Sequence, residues 1–206
     1  MGETRILPSA DVDERARIGG GTTVWHLAQV REDAVLGADC VIGRGAYVGP
    51  GVRLGDGVKL QNHALVYEPA VLEDGVFIGP AAVLTNDPYP RSLDVDGALK
   101  RPGDWEALGV TVREGASVGA RAVVVAGRTV GRFALVGAGA VVTRDVPDFA
   151  LVVGVPARRI GWVGRAGEPL DKADGRDAGA AQDGPRWRCP RTGEEYIESG
   201  GRLSPA

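Results

Sequence analysis

The chemistry open to this 206-residue chain is narrowed by its small stock of reactive side chains: two histidines, His26 and His63, and two cysteines. An imidazole titrates near neutrality, so His63 is a candidate general base. It follows Gln61-Asn62 and precedes Asn86 by 23 residues. Its other reading is packing at a surface or between subunits. A zinc ion held by three histidines is excluded, because only two are present and they lack the His-x4-His spacing. Asn86 is the leading candidate. It stands in Thr85-Asn86-Asp87, where the regular pattern of the chain stops, with Pro90-Arg91-Ser92 close behind. An amide cannot act as a base but can align the lone pair of a nucleophile; the alternative is an Asx turn opening a loop. Arg31 and Arg91 can grip a phosphate or a carboxylate with two parallel N–H donors, unless they are merely surface arginines.

These residues are positioned by a repeat. Every sixth residue from Val12 to Leu84 is Val, Ile or Leu, thirteen positions without a miss. With such residues making up about a quarter to a third of an ordinary chain, chance would give this roughly once in a million or less. The residue two before each aliphatic is small or β-branched, from Ala10 and Ala16 to Val76 and Ala82. Two inward residues two apart lie on one face of a short strand. A fixed period of six fits neither a helix nor simple alternation and marks a parallel β-helix. Three units close a triangular coil of about 18 residues, and coils stack at about 4.8 Å. His26 and Asn62, 36 apart, then fall in one stacked column with Arg44 between them, an edge that can hold phosphates or be a solvated ladder.

The period stops after Leu84 and resumes at Val112, running on to Val142. The gap of 28 is not a multiple of six, so roughly 22 extra residues leave one corner between about Asn86 and Gly109. Loops this long are functional or disordered; Trp105 and Leu108 give this one something to pack with. Arg128 stands where a small or aliphatic inward residue is expected. Its guanidinium is expected to reach solvent, the alternative being an anion contact.

The predicted organisation is a β-helix domain over 1–163, a flexible Gly-, Ala- and Asp-rich linker over 164–185, and a tail over 186–206. The tail is predicted as a hairpin turning at Thr192-Gly193, and its single Cys189 cannot build a tetrahedral metal site. Gly 32 and 5% aromatic residues suit an aliphatic solenoid. A net charge of −3 argues against general nucleic-acid binding. Two distant cysteines imply no disulfide framework. Residues Met1–Arg5 carry no apolar leader, and no apolar run is long enough to span a membrane, which makes a cytoplasmic protein the expectation.

Several stretches together resemble the hexapeptide-repeat acyltransferases: Val24-Trp25-His26, Val30-Arg31-Glu32, Gln61-Asn62, Val76-Phe77-Ile78-Gly79-Pro80, Thr85-Asn86-Asp87, Gly115-Ala116-Ser117-Val118-Gly119-Ala120, Val136 to Thr143, and Gly154-Val155-Pro156-Ala157-Arg158. Within that family the chain is similar to the sugar-nucleotide 3-N-acetyltransferases, and Cys189-Pro190 to Tyr196 resembles the tail of members acting on UDP-linked 2,3-diamino-uronic acid sugars. The resemblance implies an all-β, left-handed parallel β-helix with one long corner loop and a short C-terminal extension. It implies acetyl-CoA as co-substrate, no metal, and transfer of acetyl to the 3-amino group of a UDP- or dTDP-linked amino sugar for cell-surface polysaccharide or glycoside synthesis. It further implies a homotrimer with sites between subunits. Asn86 would hold the attacking amine, with His63 as a possible second catalytic group. His26, Arg31, Asn62, Asp87 and Arg91 would meet the substrate. Ser117, Ala120, Ala138, Gly139, Pro156 and Arg158 would meet CoA. Val155 stands where the family usually has Asn, so a contact from that side chain is missing. Two alternatives are an O-acetyltransferase using His63 as base and a non-catalytic scaffold, although a scaffold needs neither the loop nor Asn86.

Overall fold

The computed structural model describes residues 2–101, 103–173 and 184–206, and in it the six-residue period becomes geometry. Nearly every unit forms a two-residue strand whose second residue is the aliphatic, followed by a corner. Strands three units apart pair in parallel, so Thr23–Val24 lies on Val41–Ile42 and Lys59–Leu60 on Phe77–Ile78. Three stacked sheets result, of nine, seven and six strands. The first carries strands such as Phe77–Ile78 and Ser117–Val118, the second Leu65–Val66 and Val83–Leu84, and the third Val71–Leu72 and Thr111–Val112. This is the expected parallel β-helix.

The core is the axial stack of aliphatics and their small companions. From Val24 onward the repeat residues are buried, and so are Ala28, Ala34, Cys40, Ala46, Ala64, Ala70 and Ala82. Val12 and Ile18 are only partly buried, because among the described residues no coil lies beneath the first. Burial of each large aliphatic stabilises by about 1.5–3 kcal/mol. Thr22 is buried among these residues without penalty: its hydroxyl donates to Gly37 O at 2.9 Å and accepts from Cys40 N at 3.0 Å. Both cysteines are free and buried. Burial raises the Cys40 thiol above its ordinary range, whereas hydrogen bonds from Thr192 lower that of Cys189.

The interruption leaves the stack intact. Val66 pairs with Leu84, and Leu84 with Val124, while Leu72 pairs with Val112. The chain departs after Asn86 and returns at Leu108, whose N–H donates to Asn86 O at 2.8 Å. The loop packs less than the sequence suggested. Trp105 and Leu108 are each 37% exposed, and Tyr89, Val95 and Leu99 are largely bare.

The C-terminal part corrects two expectations. Residues 164–173, read as the start of a linker, pair and pack: Val163 bridges Pro169, Leu170 is buried, and Asp171–Lys172 pairs with Arg186–Arg188. Leu170 supplies the apolar group that the composition-based reading overlooked. The rest of that expected linker, 174–183, lies outside the described residues. The tail is a four-stranded antiparallel sheet rather than a lone hairpin, because Asp171–Lys172 and Arg202–Pro205 flank the predicted pair. It covers the end of the solenoid: Phe133 stacks on Phe149, and Phe149 meets Tyr196 edge-on at 5.4 Å.

Tyr196 is the polar pin of this cap. Its hydroxyl donates to Glu194 at 2.5 Å and accepts from Arg165 N at 3.0 Å. Burial first, then the bond to Glu194, push the phenol up to about 12. An unfolded tyrosine ionises near 10. Between these values the folded chain holds a proton that the unfolded chain has lost, so stability present below about pH 10 disappears as the pH rises toward 12. The thermal midpoint, followed by circular dichroism, is expected to fall more steeply from pH 10 to 12 in the parent than in Tyr196→Phe. Parallel slopes would count against it.

Candidate active site

The register sorts the candidate residues onto two edges of the prism. The edge between the first and second sheets carries His26, Arg44, Asn62, His63, Ala120, Ala138 and Gly139, with Ser117 on the adjoining strand. The edge between the second and third sheets carries Arg31, Asn86 and Asp87 and sends out the loop with Arg91. His63 and Asn86 are therefore a prism face apart in one chain, which the 23-residue spacing left open.

On the second edge Asn86 is the best-placed polar group. It is 8% exposed, and among the described residues its side chain has no intramolecular hydrogen bond, although its carbonyl closes the loop base. It does not form the Asx turn. That role falls to Asp87, whose carboxylate accepts from Tyr89 N at 2.8 Å. Arg31 is held by Glu32 through Nε at 2.8 Å and Nη2 at 3.1 Å, so it meets a substrate only by sharing or leaving that pair. Arg91 is exposed on the loop and donates to Pro90 O at 2.9 Å.

The first edge is shallower. The His26–Arg44–Asn62 column exists as expected, but its side chains are partly committed. His26 Nδ1 lies 2.8 Å from Ser9 Oγ, and Asn62 Oδ1 accepts from Arg44 N at 2.9 Å. His63 is exposed, at φ 61°, with its ring over Gly45. Farther along, Gly79 and Gly119 are required by closeness: a Cβ at Gly79 would meet Ala120 N at 2.6 Å, and one at Gly119 would meet Ala138 N at 2.5 Å. Beyond them Gly139 faces open space. This leaves a smooth run past Ala120, Ala138 and Gly139 against which a slender chain can lie. Ala157 N donates to Val141 O at 2.8 Å, which brings exposed Pro156 and Arg158 alongside the second sheet.

Residues 33–68 match the bacterial transferase hexapeptide (six repeats) family, and residues 108–144 match the hexapeptide repeat of succinyl-transferase. These two stretches are hexapeptide repeats similar to those of bacterial transferases. The chain's relatives include the dTDP-3-amino-3,6-dideoxy-alpha-D-galactopyranose 3-N-acetyltransferase of Aneurinibacillus thermoaerophilus, 58% identical over 59 residues, covering 28% of this chain and 31% of that one. The serine acetyltransferase of Escherichia coli strain K12 is 39% identical over 88 residues, covering 42% and 31%. Among solved structures, the acetyltransferase domain of PglB from Neisseria gonorrhoeae, in complex with acetyl coenzyme A, is 27% identical with a TM-score of 0.50, covering 76% and 57%. The chain thus spans about a third of the length of these curated relatives.

The hexapeptide register also exposes a residue that the sequence reading passed over. Glu68 lies one coil below Asn86, and its Oε2 is buried with no hydrogen-bond partner. Arg128, expected to reach solvent, is half-buried, and among the described residues its Nε is buried and unpartnered. Both flank the loop base. Subtracting 18 from 86 would have pointed to Glu68; nothing in the pattern signals that an atom of it is left bare. Among the described residues no cluster of three or more His, Cys, Asp or Glu can hold a metal, and no helix is long and apolar enough to cross a membrane.

Proposed function

We propose that this protein is an acetyl-CoA-dependent N-acetyltransferase acting on the 3-amino group of a nucleotide-linked sugar, either a UDP-2-acetamido-3-amino uronate or a dTDP-3-amino-dideoxyhexose. The observation that carries the reading is Asn86, an amide buried at the base of the long loop with its side chain uncommitted. The 58% identity to a 3-amino-sugar N-acetyltransferase over 59 residues supports it.

A sugar amine retains a neutral fraction near pH 7–8, so it can attack the thioester carbonyl once it is held and aligned. Asn86 Oδ1 accepts an N–H of the amine and directs its lone pair. The C–N bond forms, the C–S bond breaks, and the proton lost from nitrogen ends on the CoA thiol. The pantetheine arm runs along Ala120, Ala138 and Gly139 beside Ser117, with Pro156 and Arg158 near its phosphates. His26, Asn62, Arg31, Asp87 and Arg91 meet the nucleotide sugar.

Because one chain carries these groups on two edges, the site needs two chains. Three copies about a threefold axis set the Asn86 edge of one against the His63 edge of the next and cover bare loop residues such as Tyr89, Val95 and Leu99. Light scattering is expected to give three times the chain mass of 21.4 kDa.

A second reading, O-acetylation with His63 as base, is favoured by the exposed imidazole on the edge assigned to CoA and by the serine acetyltransferase relative. The two separate in one assay: purified protein, acetyl-CoA, and a panel of UDP- and dTDP-linked 3-amino and 3-hydroxy sugars, followed by free thiol. Release with amino sugars alone is expected. Release with hydroxyl acceptors alone would replace this reading with the second.

A further inference from the structure

We propose that the long loop carries the pocket for the acceptor's sugar ring, walled by Trp105, Leu108, Asp104 and Glu106, and that this pocket selects a neutral 3-amino-dideoxyhexose over a 3-amino uronate. The proposal rests on the N-acetyltransferase reading above and decides between the two sugars which that reading leaves open.

A cavity of about 300 Å³ lies within the loop. It begins at the loop base, where Asp87 and Leu108 line it. These two flank Asn86: Asp87 follows it in the chain, and Leu108 N donates to its carbonyl at 2.8 Å. Trp105 supplies an aromatic wall against which ring C–H groups and a methyl can lie. The charged lining is three carboxylates, Asp87, Asp104 and Glu106, against one ammonium, Lys100. One oxygen of Asp87 accepts from Tyr89 N at 2.8 Å, and one of Asp104 from Arg101 N at 2.7 Å. Each keeps its second oxygen. Among the described residues neither Glu106 nor Lys100 enters an ion pair.

Carboxylate oxygens are strong acceptors for sugar hydroxyls. A hexose bearing hydroxyls and a methyl therefore meets acceptors and an apolar wall. A uronate puts a further carboxylate into the same space, where it is repelled and finds acceptors in place of donors. The cations that could hold it are placed for another group. Arg91 and Lys100 line a second cavity, of about 340 Å³, which adjoins the first through Lys100. Asp94 in that cavity accepts from Asp96 N at 2.9 Å and Ala98 N at 2.8 Å. A diphosphate seated on Arg91 and Lys100 takes up the positive charge that a uronate would need. The tail, whose Cys189 to Tyr196 stretch resembles uronate-acting members, packs on Phe149 at the end of the solenoid and lines neither cavity.

The test is thiol release by the full chain with acetyl-CoA and three acceptors: a dTDP-3-amino-dideoxyhexose, a UDP-2-acetamido-3-amino uronate, and the same UDP sugar with an alcohol at the sixth carbon. The last two differ only in that carboxylate. The alcohol is expected to exceed the uronate about tenfold or more in kcat/KM, with the dideoxyhexose higher still. Glu106→Gln should narrow the alcohol-to-uronate ratio about fivefold, and raising the salt from about 0.05 to 0.5 M should narrow it in the parent. Trp105→Ala should raise KM for the dideoxyhexose about tenfold, with acetyl-CoA affinity unchanged. A uronate used as well as its alcohol counterpart overturns the proposal. So does a ratio that neither Glu106→Gln nor salt moves, or a KM unchanged by Trp105→Ala. A parent that acetylates amino sugars but prefers the uronate sinks this proposal alone. A parent inactive on every amino sugar sinks the N-acetyl reading and this proposal with it.

Discussion

Replacing Asn86 by Ala is expected to lower turnover about 100- to 1,000-fold while leaving the melting temperature within a few degrees of the parent. The activity term follows from alignment: losing one well-placed hydrogen bond to a reacting group costs roughly this much when the nucleophile can no longer be held in line. The stability term follows from what Asn86 does in the fold. Its carbonyl, not its amide, closes the loop base by accepting from Leu108 N at 2.8 Å, and Ala keeps that bond. The local Asx turn is made by Asp87. The check is thiol-release kinetics beside a circular dichroism melt. A variant that melts early and loses activity in proportion would mark Asn86 as a structural residue and remove the main support for the proposed function.

Ile78→Ala is expected to carry the largest loss of stability, about 2–5 kcal/mol, or a fall in melting temperature of roughly 5–20 °C for a chain of this size. Ile78 is fully buried, and its strand is paired on both sides, with Lys59–Leu60 and with Ser117–Val118. The ladder fixes the distance between coils, so neighbours cannot close in on the missing volume. Each coil is also stabilised mainly by the coils that touch it, which makes a central cavity weaken the stack in both directions. Ile78→Val removes one methylene and should cost only about 0.5–1.5 kcal/mol. Melts at matched protein concentration separate the two, since any oligomer adds concentration-dependent stability. Equal midpoints for the two variants would mean that the core is not packed as described.

The repeat, its interruption and their consequences were legible in the amino-acid sequence because a solenoid is nearly one-dimensional. Contacts run between residues about 18 apart, so the pairing of Lys59 with Phe77 or of His26's column with Asn62 is arithmetic on the chain. The loop's point of departure at Asn86 and the turn at Thr192-Gly193 came from the same local signals. What lies outside that arithmetic was decided by three-dimensional packing. Residues 164–173 read as linker by composition, yet they join strands distant in sequence to complete the four-stranded cap. The Nε of Arg128 is buried in the corner without a partner among the described residues. The separation of His63 and Asn86 onto different edges depends on where each corner turns, which the spacing of 23 does not specify. The uncommitted state of Asn86 depends on which donors come within about 3 Å, a matter of side-chain direction that a period of six cannot carry. The sequence by itself determined the prism and the place where it opens; the tertiary structure decided which polar atoms at that opening are left free to meet another molecule.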